Sequence, residues 1–260
     1  MSGDVFDIDR HPLADPTYQA RCRATLEVEG ALVLSGLVPQ TVIDEVVGEV
    51  AQRERDAFFA GSTHNVYLTD PDPSLPSDHA FNRQVLSTKG LIADDQISKA
   101  SPLRSIYADE RLRTFLCAVL GIETIHPYAD TLSSINVHFA PCGRELGWHF
   151  DNSSFAVTML LRAPTGGGIF EYVPGARDVA AGEHGFGIVD TVLDGEGGAD
   201  IAQLHFDPGD LVLFRGRDAL HRVTPTEGDL TRLLVVFAFN DEPGVRLSDS
   251  ALATFYGRSS

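Results

Sequence analysis

The chain has 260 residues, 43% hydrophobic and 22% charged, enough apolar material for a full core, which excludes global disorder. Its 37 acidic residues against 20 Lys and Arg give a formal net charge of -17, a surface that repels phosphate backbones and anionic membranes and argues against both as partners. No run approaches the roughly 18 to 20 uninterrupted apolar residues of a membrane span, and the acidic start from Met1 to Asp9 has no basic segment ahead of an apolar run.

Three widely spaced cysteines, Cys22, Cys117 and Cys142, form no CxxC pair, which predicts free thiols in a reducing compartment and so a cytoplasmic protein. Only Lys89 and Lys99 are lysines; arginine carries the rest of the positive charge.

In chain order, residues 1–20 read as a polar, Pro-containing arm. Ala31-Leu-Val-Leu predicts a short strand closed by Ser35-Gly36. Pro39 opens a helix to about Phe59, with Val42, Ile43, Val46, Val47 and Val50 at helical spacing. Turn formers between Gly61 and Asn82 predict a long surface loop, of the kind that often covers a site. Pro102 to Leu120 reads as a second helical region ended by Gly121.

Beyond Gly121 the period changes to short strands: Ser134-Ile-Asn-Val-His-Phe, Phe155 to Leu161, Gly168 to Val173, Leu211-Val-Leu-Phe and Leu233 to Phe239, divided by turns such as Asp207-Pro-Gly-Asp. The predicted fold class is mainly β with N-terminal helices: an α+β chain whose core is a jelly roll. The predicted organisation is the arm, 1–20, then one domain, 21–260, helical over 37–121 with a jelly-roll core over 122–257.

Chemistry concentrates in Gly147-Trp-His-Phe-Asp151. On a strand, i and i+2 point to one face, so His149 and Asp151 project together. They form two legs of a 2-His-1-carboxylate set, the ligands of non-haem Fe(II) oxygenases. His221, 70 residues after Asp151, is placed to be the third leg, and Arg232 follows eleven residues later at the head of another strand. A second HxD, His205-Phe-Asp207, runs into a turn with only His221 after it, too near to leave strands between the legs. It reads as structural.

HxD, a distant His and an Arg about ten residues beyond it resemble the Fe(II)/2-oxoglutarate-dependent dioxygenases. The resemblance implies a double-stranded β-helix, cupin-like in form, with Fe(II) on His149, Asp151 and His221. It also implies O2 as co-reactant and 2-oxoglutarate held at its distal carboxylate by Arg232, whose planar permanent charge suits a bidentate carboxylate pair. Trp148-His-Phe-Asp, Gly168-Ile-Phe-Glu-Tyr-Val-Pro-Gly, Phe214-Arg-Gly-Arg, His221-Arg-Val-Thr-Pro and Phe255-Tyr-Gly-Arg are similar to the small enzymes that hydroxylate or chlorinate free amino acids. The halogenases of that group have glycine at the position of Asp151, so the carboxylate here points to hydroxylation. The implied reaction inserts oxygen into an unactivated C–H bond of a small, amino-acid-like substrate while 2-oxoglutarate becomes succinate and CO2.

The same resemblance suggests Arg83 for the substrate carboxylate and Asp130 for its amine. Tyr256 and Asn152 are pocket candidates, and Asn136 is a hydrogen-bond partner for cosubstrate or substrate. His138, on the face of Asn136, reads as ordinary packing. Three competitors use the same residues differently: desaturation on this scaffold, a zinc hydrolase with the same ligands, and a non-catalytic cupin-like binding protein. Arg232 argues against the last two, because neither needs a dicarboxylate clamp.

Overall fold

A computed structural model describes residues 4–195 and 199–259. Helix α1 (Pro16–Glu29) begins at a strong local signal: Asp15 accepts from the backbone N–H groups of Thr17 and Tyr18, and Pro16 sets the first turn. Gly30 ends it at φ 70. The predicted arm is therefore already helical from Pro16; Met1 to Gly3 and Ser260 lie outside the described residues. Strand β1 (Ala31–Leu34) and helix α2 (Gln40–Val50) follow, and a 3-10 segment carries the chain to Asp56.

Residues 58–92 depart from the expectation. Strands β2 (Phe58–Asn65) and β3 (Gln84–Ile92) pair in antiparallel register from Phe58↔Leu91 to Asn65↔Gln84. The predicted α2 thus stops nine residues early, the loop shrinks to 66–83, and the nominally helical segment contributes a hairpin to the main sheet. Gly61-Ser-Thr-His reads as a turn locally; pairing with a strand twenty residues away overrides that reading. The second helical region is two helices, α3 (Pro102–Ala108) and α4 (Glu110–Leu120), because Asp109 leaves helical geometry to cap α4.

The remaining strands are β4 (Ile135–Ala140), β5 (Leu146–His149), β6 (Ala156–Arg162), β7 (Gly166–Gly167), β8 (Phe170–Val173), β9 (Ala202–Leu204), β10 (Leu211–Phe214), β11 (Leu220–Val223), β12 (Thr226–Glu227) and β13 (Arg232–Phe237). Helices α5 (Phe186–Asp194) and α6 (Asp249–Tyr256) were not foreseen. One sheet runs β1-β10-β6-β13-β4-β3-β2 and a second β5-β11-β8-β9, with a short β12-β7 pair beside them. These antiparallel sheets are the two walls of the predicted jelly roll.

Alternation along the strands builds the site. Val137 and Phe139 of β4, Val157 and Met159 of β6, and Leu233 and Val235 of β13 pack with Leu26, Val46 and Phe115 of the helices in one buried core. Their neighbours Asn136, His138 and Val236 turn the other way and line a cavity. The helices thus complete one face of the large sheet and leave the opposite face to the site. None of the described helices is long and apolar enough to cross a membrane.

Candidate active site

His149 is the last residue of β5, and His221 lies directly opposite it on β11. Their flanking residues Trp148, Phe150 and Leu220 face away into a separate apolar cluster, which fixes both imidazoles on the inner side. His149 Nδ1 is 2.8 Å from the Gly147 carbonyl and His221 Nδ1 is 2.9 Å from the Ala219 carbonyl. A carbonyl can only accept, so each Nδ1 carries the proton and each Nε2 keeps a lone pair free. Asp151 Oδ1 stands 3.6 Å from both Nε2 atoms. Among the described residues these three form the one His/Cys/Asp/Glu group with ligand atoms close enough for a shared metal ion.

The electrostatics suit ligation. Burial, then the neighbouring His221, push the His149 imidazolium down to about 4, so at neutral pH its ring is uncharged. Burial alone raises Asp151, but His221 and His149 outweigh it and hold the carboxyl far below the usual carboxylate range. The carboxylate is seated by backbone: Asp151 N–H donates to the Gly216 carbonyl at 2.9 Å. A Cβ on Gly216 would collide with Asp151 Oδ2. Only glycine leaves room there for the carboxylate. Arg177 lies 4.2 Å over the Phe150 ring, bracing the segment from outside.

The triad opens on a cavity of about 390 Å³, within the range of small-molecule sites. Its walls carry Phe58, Leu68, Leu91, Leu247 and Phe255. Asn136, Asn152 and Tyr256 line it too. Asn136 Nδ2 donates to the Ser133 carbonyl at 2.8 Å, while its buried Oδ1 makes no hydrogen bond within the described residues. Burial raises the Tyr256 phenol.

Two predicted substrate contacts are not brought to the cavity. Arg83 pairs with Asp190 at 3.2 Å and Asp194 at 2.7 Å on α5, outside the cavity walls. Asp130 is buried, but its carboxylate accepts from the backbone N–H groups of Leu132, Ser133 and Leu247, so it organises the turn before β4. Neither residue lines the cavity that holds His149 and Asp151.

Arg232 begins β13 opposite Ala140 and is 6% exposed. Within the described residues its guanidinium has no ion pair, and burial pushes it down to about 10. It lies outside the lining of the cavity, its stem packed under Gly168, where a Cβ would meet Arg232 Cδ at 2.9 Å. A buried cation without an anion is costly. A metal-chelating dicarboxylate would supply that anion, and the donor set and this arginine together fit such a group.

Sequence reasoning missed three cavity residues. His138 lines the cavity, its imidazolium pushed well below its ordinary range by burial and then by Lys89 and Arg232. Lys89 lines it from β3. His64 Nε2 lies 2.7 Å from Ser87 Oγ, which accepts from Gly147 N–H at 3.0 Å and so ties the β2–β3 hairpin to the ligand strand. The alternation Ser87, Lys89, Leu91 was the available signal, hidden because its buried face is polar.

No curated protein sequence matches the chain. Several solved structures share its fold. The epimerase SnoN, in complex with Fe3+, alpha ketoglutarate and nogalamycin RO, is 14% identical, with a TM-score of 0.60 over 86% of this chain and 84% of that one. A Pseudomonas putida prolyl-4-hydroxylase is 14% identical, with a TM-score of 0.53 over 84% and 96%. AviO1 from Streptomyces viridochromogenes Tue57 is 15% identical, with a TM-score of 0.57 over 88% and 97%. Residues 80–251, about two-thirds of the chain, match the Halogenase D (HalD) family. That segment contains His149, Asp151, His221 and Arg232; the chain belongs to the Halogenase D family and is built on the fold of the Fe(II)/2-oxoglutarate oxygenases.

Proposed function

We propose that this protein is an Fe(II)/2-oxoglutarate-dependent oxygenase that hydroxylates an unactivated C–H bond of a small, amino-acid-like molecule. The observation that carries the reading is the pairing of the His149/Asp151/His221 triad with Arg232, a buried arginine without an ion pair in the described residues. His149, Asp151 and His221 would hold the iron through Nε2, a carboxylate oxygen and Nε2. Bound iron and 2-oxoglutarate supply the oxidising power, with O2 consumed and succinate and CO2 released.

The protein's own part is binding and exclusion. The two Nδ1–H···O=C bonds fix the tautomers that present Nε2 to a cation. Arg232 orients the cosubstrate, and the apolar walls keep bulk water from the reacting centre. The cavity of about 390 Å³ supports a small substrate. The resemblance of Trp148-His-Phe-Asp and the terminal Phe255-Tyr-Gly-Arg to the small enzymes that act on free amino acids supports amino-acid-like chemistry. Asn152 and Tyr256, which line the cavity, are the expected substrate contacts that remain once Arg83 and Asp130 are set aside.

Asp151 supports oxygen insertion over the chlorination that the family's description names. A carboxylate that ligates iron occupies the place a halide would need, and its negative charge repels one. Native protein should therefore give no chlorinated product in abundant chloride. Asp151→Gly should bind iron weakly, lose most hydroxylation and yield at best traces of chlorination. The decisive assay is an amino-acid panel with Fe(II), 2-oxoglutarate and ascorbate, read for succinate and for a mass gain of one oxygen. Chlorination by the native protein, or turnover with Zn(II) and none with Fe(II), would sink the reading.

A further inference from the structure

Lys89 is one of two lysines in the chain and stands inside the cavity, on β3. Leu91 faces His138 across the β3–β4 ladder, and Ala140 faces Arg232 across β4–β13. The β3–β4 ladder ends at Gly90↔Phe139, and the same register carried one residue further sets Lys89 in the row of Ala140. Cross-strand neighbours share a face and neighbouring strands lie about 4.8 Å apart. Lys89 and Arg232 therefore flank the small Ala140 side chain from either side, about 10 Å apart at their Cα atoms and both long enough to reach over it.

His138, one pleat along β4, senses this pair: after burial, Lys89 and Arg232 are the two groups that hold it neutral. Lys89 itself has no ion pair in the described residues. Burial pushes its ammonium down to about 8, and the one charge opposing that fall is Asp151 of the triad. Lys89 thus lies within electrostatic reach of Asp151 and, like Arg232, of His138.

We propose that Lys89 is a second binding cation for 2-oxoglutarate, sharing its distal carboxylate with Arg232 over the Ala140 side chain. The inference rests on the cosubstrate reading above. It explains why a cavity walled in part by Phe58, Leu91 and Phe255 keeps a lysine that has no ion pair among the described residues. It also explains why the residue between the two cations is as small as alanine: a longer side chain at 140 would fill the place of the carboxylate.

The test is anaerobic titration of the Fe(II)-loaded protein with 2-oxoglutarate and, separately, with 2-oxovalerate, followed by the charge-transfer absorption of the chelate. 2-Oxovalerate keeps the keto acid and replaces the distal carboxylate with methyl. Lys89→Met should weaken 2-oxoglutarate about 10- to 100-fold, the weight of one charge-assisted contact. It should leave 2-oxovalerate and Fe(II) affinity unchanged, and Lys89→Arg should restore most of the loss. Unchanged 2-oxoglutarate affinity in Lys89→Met overturns the assignment, as does equal weakening of both keto acids. Arg232→Ala is the control for the underlying reading. If native protein binds no 2-oxoglutarate, or Arg232→Ala binds it as tightly as native while Lys89→Met does too, the cosubstrate reading fails along with the lysine.

Discussion

The chain contains the same three-residue pattern twice, at opposite edges of one sheet. His149-Phe-Asp151 lies at the end of β5 and His205-Phe-Asp207 just after β9, and the sheet order is β5-β11-β8-β9. β5 pairs with β11, whose His221 meets His149 across the ladder at a ring separation of 4.1 Å. Its outer side is not open: Thr88 N–H donates to the Glu145 carbonyl and Gly147 N–H to Ser87 Oγ, which lays β3 against it. β9 pairs only with β8, and His205 and Asp207 are exposed. Asp207 N–H donates to Asp210 Oδ2, fixing the turn before β10. The motif supplies two ligand atoms; the neighbouring strand supplies the third, and the covering sheet supplies burial.

The largest effect should come from exchanging the roles of the two motifs. Ala in place of His149 or His221 should abolish succinate formation and metal binding, whereas His205→Ala should retain nearly native activity. A dead His205 variant with a dispensable His149 would reverse the comparison.

Next in size is Gly216→Ala. The new methyl would collide with Asp151 Oδ2, and displacing a ligating carboxylate costs about 10- to 100-fold in metal affinity by analogy with the loss of a supporting contact. Circular dichroism should remain native while Fe(II) titration shows the loss. Native metal affinity in Gly216→Ala would mean that this glycine does not seat the carboxylate.

Burial also makes the first motif sensitive to acid. His149 is neutral in the folded, metal-free protein until about pH 4, against an ordinary value of 6.5. Between those values the unfolded chain binds a proton that the folded chain refuses, so stability falls as pH drops through that window, by at most a few kcal/mol. Urea midpoints of metal-free native and His149→Asn protein at pH 7.5 and 5 check this: the native protein should lose more on acidification. Equal losses would show that His149 is not held neutral by the fold.

The smallest effect belongs to Arg83. Its partners Asp190 and Asp194 are 46% and 49% exposed, and such surface pairs contribute about 0 to 1 kcal/mol. Arg83→Ala should leave 2-oxoglutarate affinity and the substrate KM within about twofold of native, a change that size implies. A large rise in KM would return Arg83 to the site.

The triad was legible because its spacing carries physical content: i and i+2 on a strand share a face, and His221 follows Asp151 by 70 residues, far enough for intervening strands. Strands β4, β6, β8, β10 and β13 were legible because each lies in a short β-branched or aromatic run between turn formers, whereas β7, β9 and β12 carry no such run. The hairpin β2–β3 was not, since Phe58-Phe59 sits at the end of a helical stripe and Gly61 to His64 has turn composition. Its stability comes from pairing with Gln84–Ile92 and then with β4. With the hairpin went Lys89, His64 and Ser87.

By itself, then, the sequence determined the grouping of His149, Asp151 and His221, the β character of the second half and the helix end at Gly121, all properties of residues close in the chain or of strand alternation. Tertiary structure alone decided which charges the cavity keeps. Arg83 was claimed by two aspartates on a helix over 100 residues away, Asp130 by three backbone N–H groups, and Lys89 by no ion pair among the described residues. A charge is available to a ligand only when no nearer partner satisfies it, and nearness in space is set by packing.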